Sequence, residues 1–441
     1  MHKSRPKSRS KNRRGTSLVE NLMIIFLITF VLVMGYMMTA LSKGDEYAKE
    51  YVQGGGGAGQ TKKVLKAKPA KQKAQKVEVE SEDEVILNPQ HLASTHKPHV
   101  KEDVMSLKNE YPRKDAPHCP PHPHSDYPHE YPILDILANW PPDMPDFRPE
   151  VVYNSLCYFD YSLERDRAAA LNYRKAEVPF VVRNIPDVDD TALRWSDPIY
   201  MKNLLGNSNY KVEESVNNHF MYWRNPAKGA KVKERDGKTW TQPTEMIKMQ
   251  FDEWLEKAES YKGAKAESKH WYFRVSGCSP NGGGCPSPNT QELFDEIPIF
   301  KPQESLFMVK PKSQRGIHCR FGMTGVIAEN HFDGSRNFIA LLMGERRYIL
   351  SKPKNCKNMA LLPKEHPSGR HSEVDWSDPD LGTFPQFKKV TSTEVVMQAG
   401  DVLYLPTQWF HYIISLGTNY QCNTRSGKSD DFQRDIRDCG F

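Results

Sequence analysis

The sequence predicts an α+β domain with a β-sandwich core, a barrel or jelly roll, in its C-terminal part. After Leu306, short β-branched and aromatic runs are separated by Gly, Pro and Asn turns, a pattern typical of closed or double sheets. Helical patterns come mainly before these runs. The 441 residues exceed one average domain, but only 38% are hydrophobic. Part of the chain is therefore expected to lie outside the packed core.

The first segment has the pattern of a membrane anchor. The tail, residues 1–20, has seven Lys or Arg between positions 2 and 14, and the span, residues 21–42, carries no charge from Asn21 to Leu41. That length can cross roughly 30 Å of hydrocarbon as a helix. Because the basic residues precede the span, we expect a single-pass protein with a cytosolic N-terminus. The rest of the chain would then be luminal or extracellular.

A second interpretation of this segment stays open. Residues 15–20, before the apolar run, resemble the cleavage motif of type IV prepilins, although Thr16 stands where a large apolar residue is usual. Nothing downstream resembles a pilin globular domain. A mature chain that begins at Thr16 would support this alternative.

Residues 43–148 have the composition of a stem. A glycine run at 54–57, a lysine-rich stretch at 62–76 and an acidic stretch at 78–84 offer little apolar surface to offset the entropy of ordering. The His- and Pro-rich segment 118–132 is interpreted as solvated linker rather than as a metal site. An apolar patch at 133–140 is an exception, because it has the composition of an arm that docks on the domain.

The folded domain is predicted at 149–441. Ser196 is the expected N-cap of its first helix, and apolar residues at helical spacing, among them Phe251 and Trp254, predict the second. The helices are predicted at 196–205 and 245–258, and the strands at 177–188 (leading into a loop), 209–216, 219–223, 270–275, 325–328, 338–343, 346–351, 393–398, 402–405, 412–415 and 420–423.

The eight cysteines lack the paired CxxC spacing of a zinc ribbon. Cys278 and Cys285 bracket a glycine-rich loop whose ends can meet. They are the best disulfide candidates if the domain lies in an oxidising compartment. Two free thiols on a loop remain the alternative.

Two segments carry the candidate chemistry. His331 and Asp333 are two positions apart and share one face of an extended segment, and His411 follows a Gly-Asp turn, a strand and a proline. Two imidazoles and one carboxylate are the ligand set of the facial triad, which binds Fe(II) and leaves coordination positions open. We expect His411 to reach the ion from a later strand packed opposite. The sequence therefore predicts a metal site at these three residues.

From Glu177 to Gly427 the sequence resembles the cupin-like JmjC group of oxygenases, which includes the asparaginyl hydroxylase of hypoxia-inducible factor. The matching stretches are VPFVVRNI, HFDGSRNFIALLMGERRYILSKP and GDVLYLPTQWFHYI, in the order and spacing of the family. The resemblance implies a double-stranded β-helix (jelly-roll) core of the cupin type with flanking helices. It also implies a bound Fe(II), with 2-oxoglutarate as co-substrate and O2 as oxidant.

The same resemblance implies roles for further residues. Arg346 occupies the position of the basic residue that pairs with the far carboxylate of 2-oxoglutarate, where a Lys is more usual. Asn337 and Asn423 match family asparagines near the co-substrate, and Tyr272 is expected to supply a phenol to the pocket. Ala328 stands where a Thr is common, so one hydroxyl contact is lost.

The expected function is that of a membrane-anchored dioxygenase that hydroxylates a substrate, with a protein side chain as the expected class. The alternative is a non-catalytic cupin that binds metal and recognises a ligand or partner. Histone demethylation fits poorly with a transmembrane span and a stem. Much of the net charge of +6 lies in the first 76 residues, which indicates local contact with anionic surfaces rather than a basic catalytic domain. No nucleic-acid partner is expected.

Overall fold

The structure is a computed structural model that describes residues 111–115, 117–226, 228, 231–260, 265–278 and 292–441. Its strands are β1 (Tyr131–Pro132), β2 (Tyr158–Asp160), β3 (Phe180–Arg183), β4 (Tyr210–Ser215), β5 (His219–Phe220), β6 (Glu245–Met249), β7 (His270–Ser276), β8 (Gln314–Gly322), β9 (Ile327–Phe332), β10 (Asn337–Met343), β11 (Glu345–Ser351), β12 (Thr391–Gln398), β13 (Val402–Leu405), β14 (Phe410–Ser415) and β15 (Asn419–Ser426). Its α-helices are α1 (Ile133–Asn139), α2 (Glu164–Lys175), α3 (Pro186–Trp195), α4 (Pro198–Leu205), α5 (Phe251–Ser260), α6 (Glu292–Glu296) and α7 (Gln433–Arg437). Short 3-10 helices lie at Pro298–Phe300, Pro311–Ser313, Pro353–Asn358 and Pro385–Lys389.

The strands form two sheets. The six-stranded sheet has the order β1-β12-β11-β14-β9-β5, and the nine-stranded sheet has the order β2-β3-β13-β10-β15-β8-β7-β4-β6. From β8 to β15 the chain passes between the sheets at every connection except β11 to β12. This alternation is the topology of a jelly roll. The predicted α+β fold with a jelly-roll core and flanking helices is therefore confirmed.

Side chains of the nine-stranded sheet alternate between two environments. Phe273 on β7 and Phe321 on β8 stack with ring centroids 5.7 Å apart, and Trp195 of α3 and Trp254 of α5 pack on Phe321. Burying each of these rings stabilises the fold by roughly 1.5–3 kcal/mol. The intervening polar residues of the same strands face the other way and line an internal cavity.

Residues that precede the predicted domain cover the six-stranded sheet. Ile133 and Ile136 of α1 are fully buried, and Trp140 is 1% exposed. Arg347 of β11 donates to the carbonyl oxygens of Trp140 (2.6 Å) and Ile136 (3.3 Å) and to the Glu394 carboxylate (2.6 Å). The patch predicted to dock as an arm therefore does so through apolar burial and a buried guanidinium.

The predicted stem boundary at residue 148 needs correction. Cys119, in the His- and Pro-rich segment, forms a disulfide with Cys157, and the Tyr127 hydroxyl donates to the carbonyl oxygen of Pro179 at 2.8 Å. The described residues from 111 to 148 thus pack on the domain. Composition concealed this because a few aromatic, cysteine and backbone contacts anchor a segment that is polar on average.

Two helix predictions also need correction. The predicted helix at 245–258 is divided, because Glu245–Met249 pairs with β4 as an edge strand and α5 begins only after it. Edge hydrogen bonds of the sheet therefore override the helical pattern there. The N-cap of α4 is Asp197 rather than Ser196, since the Asp197 carboxylate accepts the Ile199 N–H at 2.8 Å.

Every cysteine in the described residues is paired. Three disulfides have both cysteines within the described residues: Cys119–Cys157, Cys319–Cys422 and Cys356–Cys439. Cys278 is also disulfide-bonded, so the free-thiol alternative is wrong for it. Its predicted partner, Cys285, lies outside the described residues.

Within the described ranges, no helix is long and apolar enough to span a membrane. The predicted tail at 1–20, the predicted span at 21–42 and the stem up to residue 110 lie outside those ranges. The anchor, the prepilin-like motif and the orientation of the chain therefore stay predictions.

Candidate metal and co-substrate site

The three predicted metal ligands meet on neighbouring strands. His331 lies near the end of β9, Asp333 is the first residue after that strand, and His411 lies at the start of β14. His331 and His411 are direct cross-strand partners with ring centroids 4.1 Å apart. Ligand atoms of the three side chains lie within 4.8 Å of one another. His411 therefore comes from the adjacent strand of the same sheet, and the predicted approach from an opposite strand is wrong.

Each of the two histidine rings is oriented by the backbone carbonyl of the residue two positions before it. Nδ1 of His331 donates to the carbonyl oxygen of Glu329 at 2.7 Å, and Nδ1 of His411 donates to that of Trp409 at 3.1 Å. A carbonyl oxygen only accepts, so the proton lies on Nδ1 and the Nε2 lone pair stays available to an ion. Burial holds the pKa of both imidazoles below the ordinary value, well below it for His331. Both rings are thus neutral ligands at pH 7.

Asp333 is held in its ionised form. The Arg425 guanidinium contacts both of its carboxylate oxygens, at 3.0 and 2.8 Å, and the Asn337 amide lies 3.3 Å from one of them. Burial alone would raise the pKa of Asp333, but the charge of the Arg425 guanidinium, with a smaller effect of Arg370, holds it well below its usual range. The donor set, two neutral nitrogens and one carboxylate, fits a divalent first-row ion such as Fe(II).

The two predicted asparagines form one chain of hydrogen bonds with the metal site. The Asn423 amide donates to Asn337 at 2.8 Å, and Asn337 in turn donates to Asp333. Asn423 and Asn337 lie on the adjacent strands β15 and β10 and both line the cavity. The structure therefore brings both side chains beside the triad.

Arg346 lies behind the cavity wall. Its side chain is fully buried, and Nη1 donates to the Tyr272 hydroxyl at 3.0 Å and to Gln421 at 2.7 Å. Nε donates to Asn419, and Nη2 donates to the carbonyl oxygen of Arg320 at 3.0 Å. Arg346 is not among the residues that line the cavity. Its donors are engaged with protein acceptors, which does not match the role implied by the resemblance.

Residues around Arg346 separate it from the cavity. Tyr272, Tyr348 and Gln421 all line the cavity, and the Tyr348 hydroxyl donates to Gln421. The predicted phenol at Tyr272 is thus present in the wall. Ala328, which replaces the usual Thr, also lines the cavity and offers no hydroxyl there.

The cavity has a volume of about 280 Å³, near the lower end of the roughly 300–1,000 Å³ typical of small-molecule sites. Its wall includes basic and polar residues that sequence reasoning missed: Arg274, His318, Arg320, Arg370, His371, Gln421 and Arg425. Most lie at alternate positions on β7, β8 and β15. Polar residues that alternate with buried apolar ones were the signal that could have found them.

A loop also reaches the metal site from outside the sheets. His371 stacks on His331 with centroids 4.9 Å apart, and its Nδ1 donates to the Ser368 carbonyl oxygen at 2.9 Å. The preceding Arg370 has φ +80° and lies 3.9 Å from an oxygen of Asp333. Strained backbone of this kind concentrates at functional sites. The loop therefore belongs to the site, which its sequence did not indicate.

Comparison with known proteins agrees with this geometry. Residues 167–425 match the family described as cupin-like domain. Lysine-specific demethylase 8 of Danio rerio is 30% identical over 135 residues, which are 29% of this chain and 33% of that protein. tRNA wybutosine-synthesizing protein 5 of Danio rerio is 27% identical over 174 residues (38% and 49%), and Jumonji C domain-containing protein 5 of Drosophila melanogaster is 28% identical over 130 residues (28% and 32%).

The match thus spans 32–49% of the length of these relatives. The family match itself spans more than half of the chain and includes all three metal-ligand candidates. The chain belongs to the cupin-like domain family, and proteins with Jumonji C-type and demethylase names are among its relatives.

Proposed function

We propose that this chain is an Fe(II)- and 2-oxoglutarate-dependent dioxygenase that hydroxylates a substrate, with a protein side chain as the substrate class. The observation that carries the proposal is the convergence of His331, Asp333 and His411 within 4.8 Å at the wall of a cavity. The resemblance to JmjC oxygenases and membership of the cupin-like family support it.

Fe(II) in such a centre supplies O2 activation coupled to oxidative decarboxylation of 2-oxoglutarate, so that succinate, CO2 and a hydroxylated product result. His331, Asp333 and His411 would hold the ion, and all three line the cavity through which a ligand would reach it. Arg425 keeps Asp333 ionised, and the carbonyls of Glu329 and Trp409 fix the two imidazole tautomers. Apolar walls help to exclude water from the reaction; they are formed by Phe220, Ile339 and Ile413.

The direct test is turnover of 2-oxoglutarate by the purified full chain with Fe(II) and O2. We expect succinate to form, and we expect its rate to fall at least about 100-fold in His331→Ala, because loss even of an outer partner of a metal ligand typically costs 10- to 100-fold. Succinate can be quantified by mass spectrometry. Equal turnover in the variant and in the unmodified chain would contradict the proposal.

A non-catalytic metal-binding cupin is the second candidate. Two observations favour it: the donors of Arg346 are taken by protein groups, and Ala328 lacks a hydroxyl. Tight metal binding without any binding of 2-oxoglutarate would support this candidate over the dioxygenase.

The names of two relatives indicate different substrates. One relative is named a lysine-specific demethylase and another a tRNA wybutosine-synthesizing protein. Hydroxylation of an N-methyl carbon releases formaldehyde. If the protein released formaldehyde from methyl-lysine peptides, its reaction would be demethylation rather than side-chain hydroxylation.

We also propose that the domain faces an oxidising compartment and is anchored by the predicted span at 21–42. The disulfides support the compartment, since such bonds persist in secreted and luminal proteins and are rare in the cytosol. The anchor itself is supported by the length and charge pattern of residues 1–42 alone.

Thiol labelling tests the compartment. Protein taken from cells in the presence of a membrane-permeant maleimide is expected to stay unlabelled until it is reduced, because every cysteine in the described residues is paired. After reduction we expect labelling and a loss of stability of roughly 2–5 kcal/mol for each disulfide removed. Quantitative labelling before reduction would contradict an oxidising environment.

A further inference from the structure

Arg320 is a cation in the cavity without an anionic partner among the described residues. It lies on β8, lines the cavity, and forms one side-chain hydrogen bond, from Nη1 to the carbonyl oxygen of Cys319 at 3.0 Å. Its cross-strand neighbour on β7, Arg274, is paired with Glu213 at 2.9 Å. Arg425 is likewise paired with Asp333. Arg320 therefore differs from both neighbouring guanidinium groups.

A partly buried cation without an ion pair has an energetic cost. Burial, followed by the charge of Arg274, lowers the pKa of Arg320 to about 9, and the Glu213 carboxylate offsets this only in part. A partly buried charge that lacks an ion pair costs folding free energy because it has lost part of its hydration. An anion that enters the cavity would offset this cost.

The charge balance of the cavity indicates what kind of ligand fits. Four arginines line it (274, 320, 370 and 425) against two carboxylates (Glu213 and Asp333), which leaves two positive charges. A divalent ion at the triad would add two more. The dianion 2-oxoglutarate complements this excess, with one carboxylate near the ion and the other at a guanidinium.

Arg346 and Arg320 differ in their access to such a ligand. The donors of Arg346 are engaged with Tyr272, Gln421, Asn419 and the Arg320 carbonyl, and it does not line the cavity. A Cβ at Gly322 would collide with Ser415 and approach Nη2 of Arg346 to 3.1 Å, so the glycine provides the space in which Arg346 is held. Arg346 thus positions the wall that carries Arg320.

We propose that Arg320, rather than Arg346, binds the far carboxylate of 2-oxoglutarate. This inference rests on the proposed function. Tyr272 assists, because its oxygen accepts from Arg346 at 3.0 Å and its own proton is directed to no acceptor among the described residues. Gln421, the other cross-strand partner of Arg320, completes this end of the cavity.

The test measures binding rather than turnover. The full chain, loaded with Mn(II) and kept free of O2, is titrated calorimetrically with 2-oxoglutarate and with 2-oxopentanoate, which has a methyl group in place of the far carboxylate. The unmodified chain is expected to prefer 2-oxoglutarate by about 10- to 100-fold, the range for a hydrogen-bonded charged group.

Arg320→Met should abolish that preference and leave the affinity for 2-oxopentanoate unchanged, whereas Arg320→Lys should retain part of it. Arg346→Met is the comparison: it should keep a preference for 2-oxoglutarate, although a smaller one, because Arg346 positions the wall that carries Arg320. If Arg346→Met fails to fold, the affinities of Arg320→Met for the two ligands are sufficient to test the role of Arg320. The thermal midpoint of ligand-free Arg320→Met should be unchanged or higher, since a partly buried charge without an ion pair is removed.

The outcomes separate this inference from the proposed function. If the unmodified chain binds 2-oxoglutarate and Arg320→Met keeps the preference, the assignment to Arg320 is overturned while the proposed function stands. Loss of the preference in Arg346→Met alone would return the role to Arg346. If the unmodified, metal-loaded chain binds neither 2-oxo acid, the co-substrate part of the proposed function fails, and this inference fails with it.

Discussion

Replacing His331 by alanine is expected to reduce metal affinity by at least about 100-fold. The remaining two ligands cannot hold the ion on one side as a triad does, and loss of a group that merely supports a ligand already costs 10- to 100-fold. His411→Ala should have a similar effect, because both imidazoles offer Nε2 from adjacent strands. Equilibrium dialysis with Mn(II) or Co(II) at pH 7 measures the change.

A matched control is His366→Gln. His366 is 7% exposed and lies five residues before His371 in the same loop, but it does not line the cavity. Its replacement should leave metal affinity unchanged. The metal assignment would be refuted if His331→Ala and His366→Gln bound the ion equally well while both retained the folded circular dichroism spectrum.

A chain that begins at residue 150 is expected to be unfolded or insoluble, whereas one that begins at residue 111 should fold. The shorter chain loses Ile133, Ile136 and Trp140, each buried to 1% exposure or less. Burial of one such side chain contributes roughly 1.5–3 kcal/mol, and a typical domain has only about 5–15 kcal/mol of net stability. Loss of Cys119, and so of its disulfide to Cys157, adds to this.

The same truncation exposes a buried ion pair. Arg347 and Glu394 are 2.6 Å apart with side-chain exposures of 1% and 0%, and Arg347 also donates to the carbonyl oxygens of residues that would be missing. Within the 111–441 chain, Arg347→Met leaves the Glu394 charge without its partner and should cost about 3–5 kcal/mol. Lys238→Met, on a fully exposed surface pair, is the control and should change stability little.

Chemical denaturation of the 111–441 chain and its variants, with circular dichroism of the 150–441 chain, measures both effects. A 150–441 chain with a cooperative transition and the same midpoint as the longer chain would show that the arm is dispensable. The domain boundary inferred from the packing of α1 would then be wrong.

Much of the architecture could be predicted because local patterns and tertiary packing agree. The strands at 338–343, 346–351 and 402–405 lie within or match β10, β11 and β13, since their apolar runs are short and are bounded by Gly and Pro. The prediction failed at 245–258. The first five residues of this helical pattern form an edge strand because they make sheet hydrogen bonds with β4. The prediction also missed β8, whose polar residues face a cavity and so resemble a loop in sequence.

The sequence pattern by itself determined a barrel or jelly-roll class and the three metal-ligand candidates, because two-residue spacing on a strand and strand-turn periodicity are local properties. Only the tertiary structure decided which strand carries His411 to His331, which arginine faces the cavity, and where the domain begins. Arg346 and Arg320 are the clearest case. Access to a cavity depends on strand register and on the side chains of neighbouring strands, and both are set by contacts between residues far apart in the chain.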